Sequence, residues 1–541
     1  MSVDTPSHGA RSRAWVTALF VGVVIFGVFV RFYGLGEKLL WHDEVATRIF
    51  AAGYTHDDWK SELLTGRVFD VSEVQRFQRM SPDRSVLKVI GVLAKDDPHH
   101  PPLYYVLACL WATVAGVEIG PLRGLSVLFG LAMLPGLYWL ARELGGDRRV
   151  GQMAVALGSV SPFFILYSQE AREYSLWALT TVLASAALLR GLRSEVRSAR
   201  EALVTWAPYT VATVAELYTS FSSAWVILAH ITYVLIRYRF RLTRMSVGAA
   251  GALFAAGVAV LPWAVNLIRN FEVFEISMRW SKEIVIPNRS LLRLLALNTS
   301  RTIADFWPDT DTPLSYVVVA LATGVVVWSL VAVARNTPIT TSAFILALVG
   351  LPIGLLLVPD LVFGGIRSIS MKYLTPAWVG VLLALAFALA GERKEAPPRA
   401  GLGGRVRAAL AVAVLVTAAA SAWSNARQQS VWTKGLSFQL PAVAAHVNRS
   451  KAPLVVGNLE HYNPGNMLAL SVLLAPDAKM QFLNAPQEEV FALPPKGEYG
   501  DVYLYSPIGI YREALEKREG VRTELLEKDV FLELYRVEYP E

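Results

Sequence analysis

The stretch PPLYYVLACLWATVAG, residues 101–116, decides how the chain is organised. It is apolar enough to enter a bilayer, yet it opens on two prolines and falls short of the ~20 residues a helix needs to cross the hydrocarbon. The arginines around it settle the matter, because loops on the cytoplasmic side carry an excess of Lys and Arg. The clusters are RSR (11–13), RELGGDRR (142–149), RGLRSEVRSAR (190–200), RYRFRLTR (237–244) and GERKEAPPRAGLGGRVR (391–407). All of them fall on one side only if 101–116 does not cross. If it crossed, RELGGDRR and several later clusters would face outward. The segment therefore reads as a half-helix or interfacial helix on the outer side.

Outward from that point the rest of the chain falls into place. Only 18% of its 541 residues are charged and 54% are hydrophobic, against roughly 25% charge in a soluble domain. The deficit is spread along most of the sequence, which predicts a polytopic α-helical membrane protein. Apolar runs lie near 14–30, 122–140, 150–166, 174–189, 202–218, 221–236, 247–267, 314–334, 339–359, 373–390 and 408–423, which gives about 11 spans plus the outer half-helix. The first run follows Arg11 and Arg13 but leads to no small-residue cleavage site, so it reads as an uncleaved span. The net charge of +7 is explained by topology. No basic stripe interleaved with aromatics appears, and a nucleic-acid partner is excluded. The single cysteine, Cys109, allows neither an internal disulfide nor a cysteine-based metal site.

Residues 1–423 form the membrane module on this reading, with 31–121 a first outer loop that carries interfacial helices. The tail 424–541 changes composition. APLVVGNL, KMQFLN, DVYLYSP and VFLELYRVEY read as short strands, and the tail is expected to be a small extracytoplasmic α/β domain. It has no glycine-rich phosphate loop, and no chemistry is assigned to it. Residues 391–407 read as a cytoplasmic loop.

The outer segments hold the chemistry. WHDE (41–44) follows the first span with three ionisable residues. Asp43 or Glu44 reads either as a general base or metal ligand, or as the acidic first turn of a helix. DDPHHPPLYY (96–105) brings His99 and His100 to the short apolar helix, as phosphate or metal partners or as solvated residues. Tyr104 and Tyr105 suit the membrane–water interface. SQEAREY (168–174) packs Gln169, Glu170, Arg172 and Glu173 between two apolar runs. Ionisable groups so near the hydrocarbon are costly and mark functional sites by default. If they open the next helix, Glu170 and Tyr174 share a face at i, i+4. RSISMKYLTPAW (367–378) places Arg367, Lys372 and Tyr373 at an outer span end. Lys372 has a plain alternative in snorkelling, while Arg367 runs against the positive-inside trend and calls for an anionic partner. Carboxylates and cations gathered at the level of lipid headgroups fit a reaction on a phosphate-bearing lipid.

Taken in order, these motifs resemble the bacterial membrane glycosyltransferases of the protein-O-mannosyltransferase and lipid A aminoarabinose-transferase type, the GT-C fold (glycosyltransferase family 39 type). The resemblance covers roughly residues 14–390. It rests on WHDE after the first span, HPPLYY closing a long outer loop, PLRGLSVLFG, SQEAREY, and a basic-Tyr pair before a proline in MKYLTPAW. It implies inverting transfer of a monosaccharide from a polyprenyl-phosphate donor to a hydroxyl of an envelope glycan, lipid or protein, on the outer side of the bacterial cytoplasmic membrane. Asp43 matches the catalytic acidic position, the general base. Glu44 supports it or binds acceptor. Arg172, with Lys372, Arg367, His100 and His99, is expected at the donor phosphate. Glu170, Glu173, Tyr174, Tyr104, Tyr373 and Glu216 are expected to bind or orient substrate. The chain departs from the pattern where some relatives have a lysine before the proline pair, since here His99 and His100 precede it. Lys372 stands where many relatives have Arg. Ser220 and Phe221 follow Tyr218–Thr219 where many relatives carry a histidine. No cofactor is required by the resemblance; a divalent metal on His42 and Asp43 is the disfavoured alternative.

Two other classes compete. A transporter or flippase of lipid-linked sugars would show inverted repeats and polar groups near the midplane. An oligosaccharide ligase would show its largest outer loop late in the chain. Neither signature is present in the sequence.

Overall fold

In the computed structural model, described over residues 8–306, 311–391, 403–458, 463–483, 493–507, 509–529 and 532–540, the chain divides into two compact units, neither of them contiguous in sequence. One gathers the residues up to Leu35, Leu93–Tyr104 and Arg123–Arg427. The other gathers Gly36–Val92, Tyr105–Leu122 and Gln428–Glu541.

The first unit is a helical membrane module. Among the described residues, eight helices are long and apolar enough to cross a membrane, and a ninth arises if the bent pair Arg148–Val160 and Pro162–Ser168 is one span. The two further predicted runs, 14–30 and 202–218, are the helices His8–Phe32 and Ala199–Leu217. The protein is therefore a polytopic α-helical membrane protein. At its centre stand Tyr174–Arg193 and Thr375–Ala390, buried on nearly every side. An all-round apolar helix is what a buried position in a bundle demands. The first helix packs closely on Arg148–Val160, and a Cβ on Gly27 would lie 2.3 Å from the Ser159 carbonyl oxygen, so only glycine fits there.

The bend between Val160 and Pro162 measures 57° and has a covalent cause. Pro162 has no N–H to offer the carbonyl four residues back, Gly158. Arg31 answers this from the first helix: its Nη2 donates to the Gly158 carbonyl at 2.7 Å and its Nη1 to the Ser159 carbonyl at 2.6 Å. A fully buried arginine is thereby accounted for.

Residues 103–115 form a helix of 13 residues, Leu103–Ala115. At about 1.5 Å per residue it is roughly 20 Å long, short of the ~30 Å hydrocarbon. Most of the predicted loop 391–407 lies outside the described residues; its end, from Gly404, already belongs to the helix Gly404–Ala426.

The second unit is built on a six-stranded sheet. The strands are β1 (Val68–Asp70), β2 (Leu454–Asn458), β3 (Lys479–Leu483), β4 (Val502–Tyr505), β5 (Arg522–Lys528) and β6 (Glu533–Glu538), in the order β1-β3-β2-β4-β6-β5. β3, β2 and β4 are parallel, with the edge pairings antiparallel. Leu454, Val456, Val502, Leu504 and Leu515 form its core. The tail is the α/β region expected from its composition. The sheet also recruits β1 from the segment that follows the first helix: Val68 pairs with Gln481 and Asp70 with Lys479.

Candidate functional site

In the membrane unit, a cavity of about 330 Å³ opens among segments distant in sequence. His99, His100 and Pro101 form one wall, Glu173, Tyr174 and Trp177 a second, and Thr219–Ser222 with Trp225 a third. Phe274, Ser281 and Lys282, from the segment after the Arg244–Arg269 helix, complete it with Arg367 and Tyr373. Aromatic walls with a few convergent charged groups are the ordinary make-up of a small-molecule site.

The cations here are held by specific partners. Arg172 Nη2 lies 2.8 Å from His100 Nε2, and its Nε lies 3.2 Å from Glu173 Oε2. A guanidinium only donates, so His100 Nε2 must be the acceptor and its proton sits on Nδ1. That Nδ1 donates to Asp97 Oδ2 at 2.8 Å. Asp97, His100 and Arg172 thus form a directed chain with one tautomer. His99 Nδ1 meets the other oxygen of Asp97 at 2.8 Å. Burial opposes a charge on Asp97, but His100 and His99 at its two oxygens hold the carboxyl well below its usual range. For His100, burial is the larger influence and lowers its value, with Asp97 only partly offsetting it. Among the described residues, Asp97, His99 and His100 are the group whose donor atoms lie within 4.8 Å of one another, as a divalent metal would require.

Arg367 Nη1 donates to Asp360 Oδ1 at 2.6 Å, and the Ser368 amide donates to Asp360 Oδ2 at 2.7 Å. Gly365, at φ +120°, makes room for this: a Cβ there would sit 2.4 Å from the Arg367 guanidinium. Lys372 Nζ lies 5.6 Å from the ring centres of both Tyr174 and Tyr373, a cation–π seat.

The sequence-derived candidates are distributed as follows. His99, His100, Glu173, Tyr174, Arg367 and Tyr373 line the cavity. Arg172 and Lys372 stand directly behind that lining, on His100, Glu173 and the two tyrosines. Glu216 is fully buried and accepts from the Thr181 hydroxyl at 2.6 Å. Tyr104 is fully buried and shares a hydrogen bond with Ser126 at 2.8 Å. SQEAREY does not open a helix: the helix starts at Tyr174 and 169–173 is a tight turn. Its polar groups take tertiary partners instead. Gln169 Nε2 donates to the Val30 and Tyr33 carbonyls at 2.8 and 3.1 Å, tying the turn to the first helix. The Glu170 carbonyl accepts from the Arg172 amide at 2.8 Å, closing the turn.

In the second unit, WHDE opens the helix His42–Ala52, with Trp41 as its N-cap and Asp43 and Glu44 in its first turn. Asp43 Oδ1 lies 3.0 Å from His42 Nε2, with its side chain one-fifth exposed. Glu44 is fully buried and accepts from Lys434 Nζ at 3.1 Å. The His42 amide donates to Ser437 Oγ at 3.0 Å, and Ser437 donates to Asn466 Oδ1 at 2.6 Å.

Asp97, Asp360, Lys282 and Lys434 were missed by the sequence reading. Asp97 stood two residues from a histidine that was singled out. Asp360 meets Arg367 and Ser368 across the turn that follows its own helix, and Lys434 finds Glu44 only through tertiary packing.

No family model matches the chain, and no curated protein matches it. Among solved structures it is similar to ArnT from Cupriavidus metallidurans. In the apo state the identity is 11% and the TM-score 0.49, with 97% of this chain and 98% of that one covered. Bound to undecaprenyl phosphate the identity is 14% and the TM-score 0.48, with the same coverage. It is also similar to the archaeal oligosaccharyltransferase AglB from Archaeoglobus fulgidus (12% identity, TM-score 0.46, 86% of this chain and 65% of that one). A weaker similarity, TM-score 0.30 at 16% identity, covers 51% of this chain and 34% of the S. cerevisiae protein O-mannosyltransferase Pmt1–Pmt2. The functional reading therefore rests on the residues themselves.

Proposed function

We propose that the protein is an inverting glycosyltransferase that moves a monosaccharide from a polyprenyl-phosphate carrier to a hydroxyl-bearing acceptor at the outer face of a bacterial cytoplasmic membrane. The observation that carries this reading is the cavity in which Arg367 and Lys282 converge beside Trp177, Trp225 and Tyr174. Cations suit a lipid-linked phosphate and aromatic faces suit a sugar ring. The ordered motifs supply the rest of the reading. The acceptor oxygen attacks the anomeric carbon while Asp43 takes its proton, since a hydroxyl is a poor nucleophile until a positioned carboxylate accepts that proton. The bond from the anomeric carbon to the phosphate oxygen breaks, and the lipid phosphate leaves with the bonding pair. That charge is met by cations already fixed in place, which need no reorganisation at the moment of reaction. Arg172, His100 and Lys372 hold the walls, and Arg367, Lys282 and His99 face the phosphate. A divalent metal is not required in this scheme.

The test uses right-side-out membrane vesicles given a membrane-impermeant acceptor and a polyprenyl-phosphate sugar. The native protein should transfer sugar, and Asp43→Asn should lose roughly 10²–10⁴-fold in rate, the usual worth of a positioned base, with unchanged thermal unfolding. Full activity in Asp43→Asn sinks the base assignment. Transfer seen only in inverted vesicles sinks the orientation.

A further inference from the structure

A second cavity, of about 180 Å³, lies in the membrane unit at the far end of the helix Ala224–Tyr238 from the first. On that helix the first cavity ends at Trp225 and the second begins at His230, so about 8 Å of helix separates their nearest walls and no residue lines both. Its walls are mostly apolar, with Leu188, Ile231, Val234, Leu235, Ala250 and Leu253 among them, and the polar atoms of Tyr209 and His230 in the lining are hydrogen-bonded to each other at 3.1 Å. Its rim is the turn RYRFRLTR. Arg241 and Ser246 border the opening, and Arg239 and Arg244 are exposed on either side.

Three features of this rim need a common explanation. Among the described residues, Arg239, Arg241 and Arg244 have no carboxylate partner, whereas Arg190 and Arg193, in the preceding basic cluster, both pair with Glu143. Two consecutive non-glycine residues, Arg239 and Phe240, sit in the left-handed region at φ 50° and 61°. Arg239 is the left-handed cap of the helix Ala224–Tyr238, closed by the Phe240 amide on the Leu235 carbonyl at 3.0 Å, and this ending turns the chain so that the arginines follow one another around the rim. The turn also leaves Phe240 and Leu242 exposed, at 77% and 90%, beside the unpaired arginines. Apolar side chains next to bare guanidinium groups match a surface that is itself apolar below and anionic above.

We infer that this cavity is a binding site for an anionic glycerophospholipid, with its phosphate on Arg239, Arg241 and Arg244 and one acyl chain in the groove. The occupant is chosen by charge complementarity: the rim holds three unpaired cations and no acid, and the groove behind it is apolar. A guanidinium grips a phosphate bidentately. A zwitterionic lipid would fill the groove but place its own cation against the arginines. A free phosphate would use the arginines but not the groove. The site is separate from the donor cavity, and its existence does not depend on the glycosyltransferase reading.

The test is native mass spectrometry of the purified full-length protein, offered phosphatidylglycerol and phosphatidylcholine of identical chains, with inorganic phosphate as a third arm. At the usual worth of an arginine near an anionic lipid, three of them predict roughly a hundredfold preference for phosphatidylglycerol. Arg239→Gln, Arg241→Gln and Arg244→Gln combined should erase that preference. Ala250→Trp, which fills the groove and leaves the arginines in place, should release the bound lipid. Equal retention of the two lipids overturns the proposal. So does unchanged retention in Ala250→Trp, which would leave only surface attraction, or displacement of the lipid by millimolar phosphate. Thermal unfolding in neutral detergent separates lost binding from lost folding, since both variants should unfold as the native protein does without lipid.

Discussion

His100 shows how one residue can carry a site's state. Its ring accepts from Arg172 through Nε2 and donates to Asp97 through Nδ1, which only the neutral form can do. Because its value lies below the ordinary 6.5, the native ring stays neutral where an unfolded one would already begin to take a proton. The sign follows from proton counting. The unfolded state binds more protons below about pH 6.5, so this residue's contribution to stability is complete above that pH and falls as pH drops toward its native value. Asp97, held well below the carboxylate range, contributes above its unfolded value of 3.8 and loses that only in strong acid. Transfer activity should therefore be level from about pH 8 to about 6.5 and fall only below that. His100→Gln, which keeps an acceptor for Arg172 but cannot titrate, should flatten this acid limb. His100→Ala should cost roughly 10–100-fold, the worth of a hydrogen bond to a charged group. A pH–rate profile of the three proteins decides this; an acid limb that persists unchanged in His100→Gln removes His100 from the account. The sequence singled out His100 but was silent on its tautomer, which is fixed by Arg172, 72 residues away.

At the level of elements, most of the membrane spans were legible because their signal is cumulative: some 20 apolar residues between basic clusters leave little choice. The break at Val160–Pro162 was not read, although its cause was in plain view. A proline inside an apolar run leaves a carbonyl without a donor, and in a bilayer that carbonyl must be satisfied from within the protein. Arg31 satisfies it. The pairing could not be read because the two residues are more than a hundred positions apart. Arg31→Met should destabilise the protein by roughly 1–3 kcal/mol, since buried carbonyls are left unpaired. Pro162→Ala returns an N–H that can serve Gly158. If Arg31 acts as described, Pro162→Ala should cost less in the Arg31→Met background than in the native protein. Thermal unfolding of the four proteins as a double-mutant cycle measures this, and strictly additive losses would refute the link.

On the scale of the whole molecule, the first outer loop and the tail read as separate regions, because nothing local in either announces the other. β1 is three residues long, below any periodicity threshold, and its partner β3 lies some 400 positions away. Their joint unit closes over Glu44 and Lys434, both almost fully buried and 390 residues apart. Neither charge alone is tolerable there: breaking a buried pair from one side typically costs ~3–5 kcal/mol, while replacing both partners by apolar groups is often neutral. Lys434→Met and Glu44→Leu should thus each destabilise the protein strongly, and the double variant should recover most of the loss. The same cycle reads on function. If Glu44 serves only to hold the first turn of the helix His42–Ala52, the stable double variant should transfer sugar at a rate within about tenfold of native, since Asp43 remains in that turn. If Glu44 itself contacts acceptor, stability will return in the double variant while the rate stays low and KM stays high. Measuring unfolding, kcat and KM on the same four proteins separates a residue that braces the site from one that works in it.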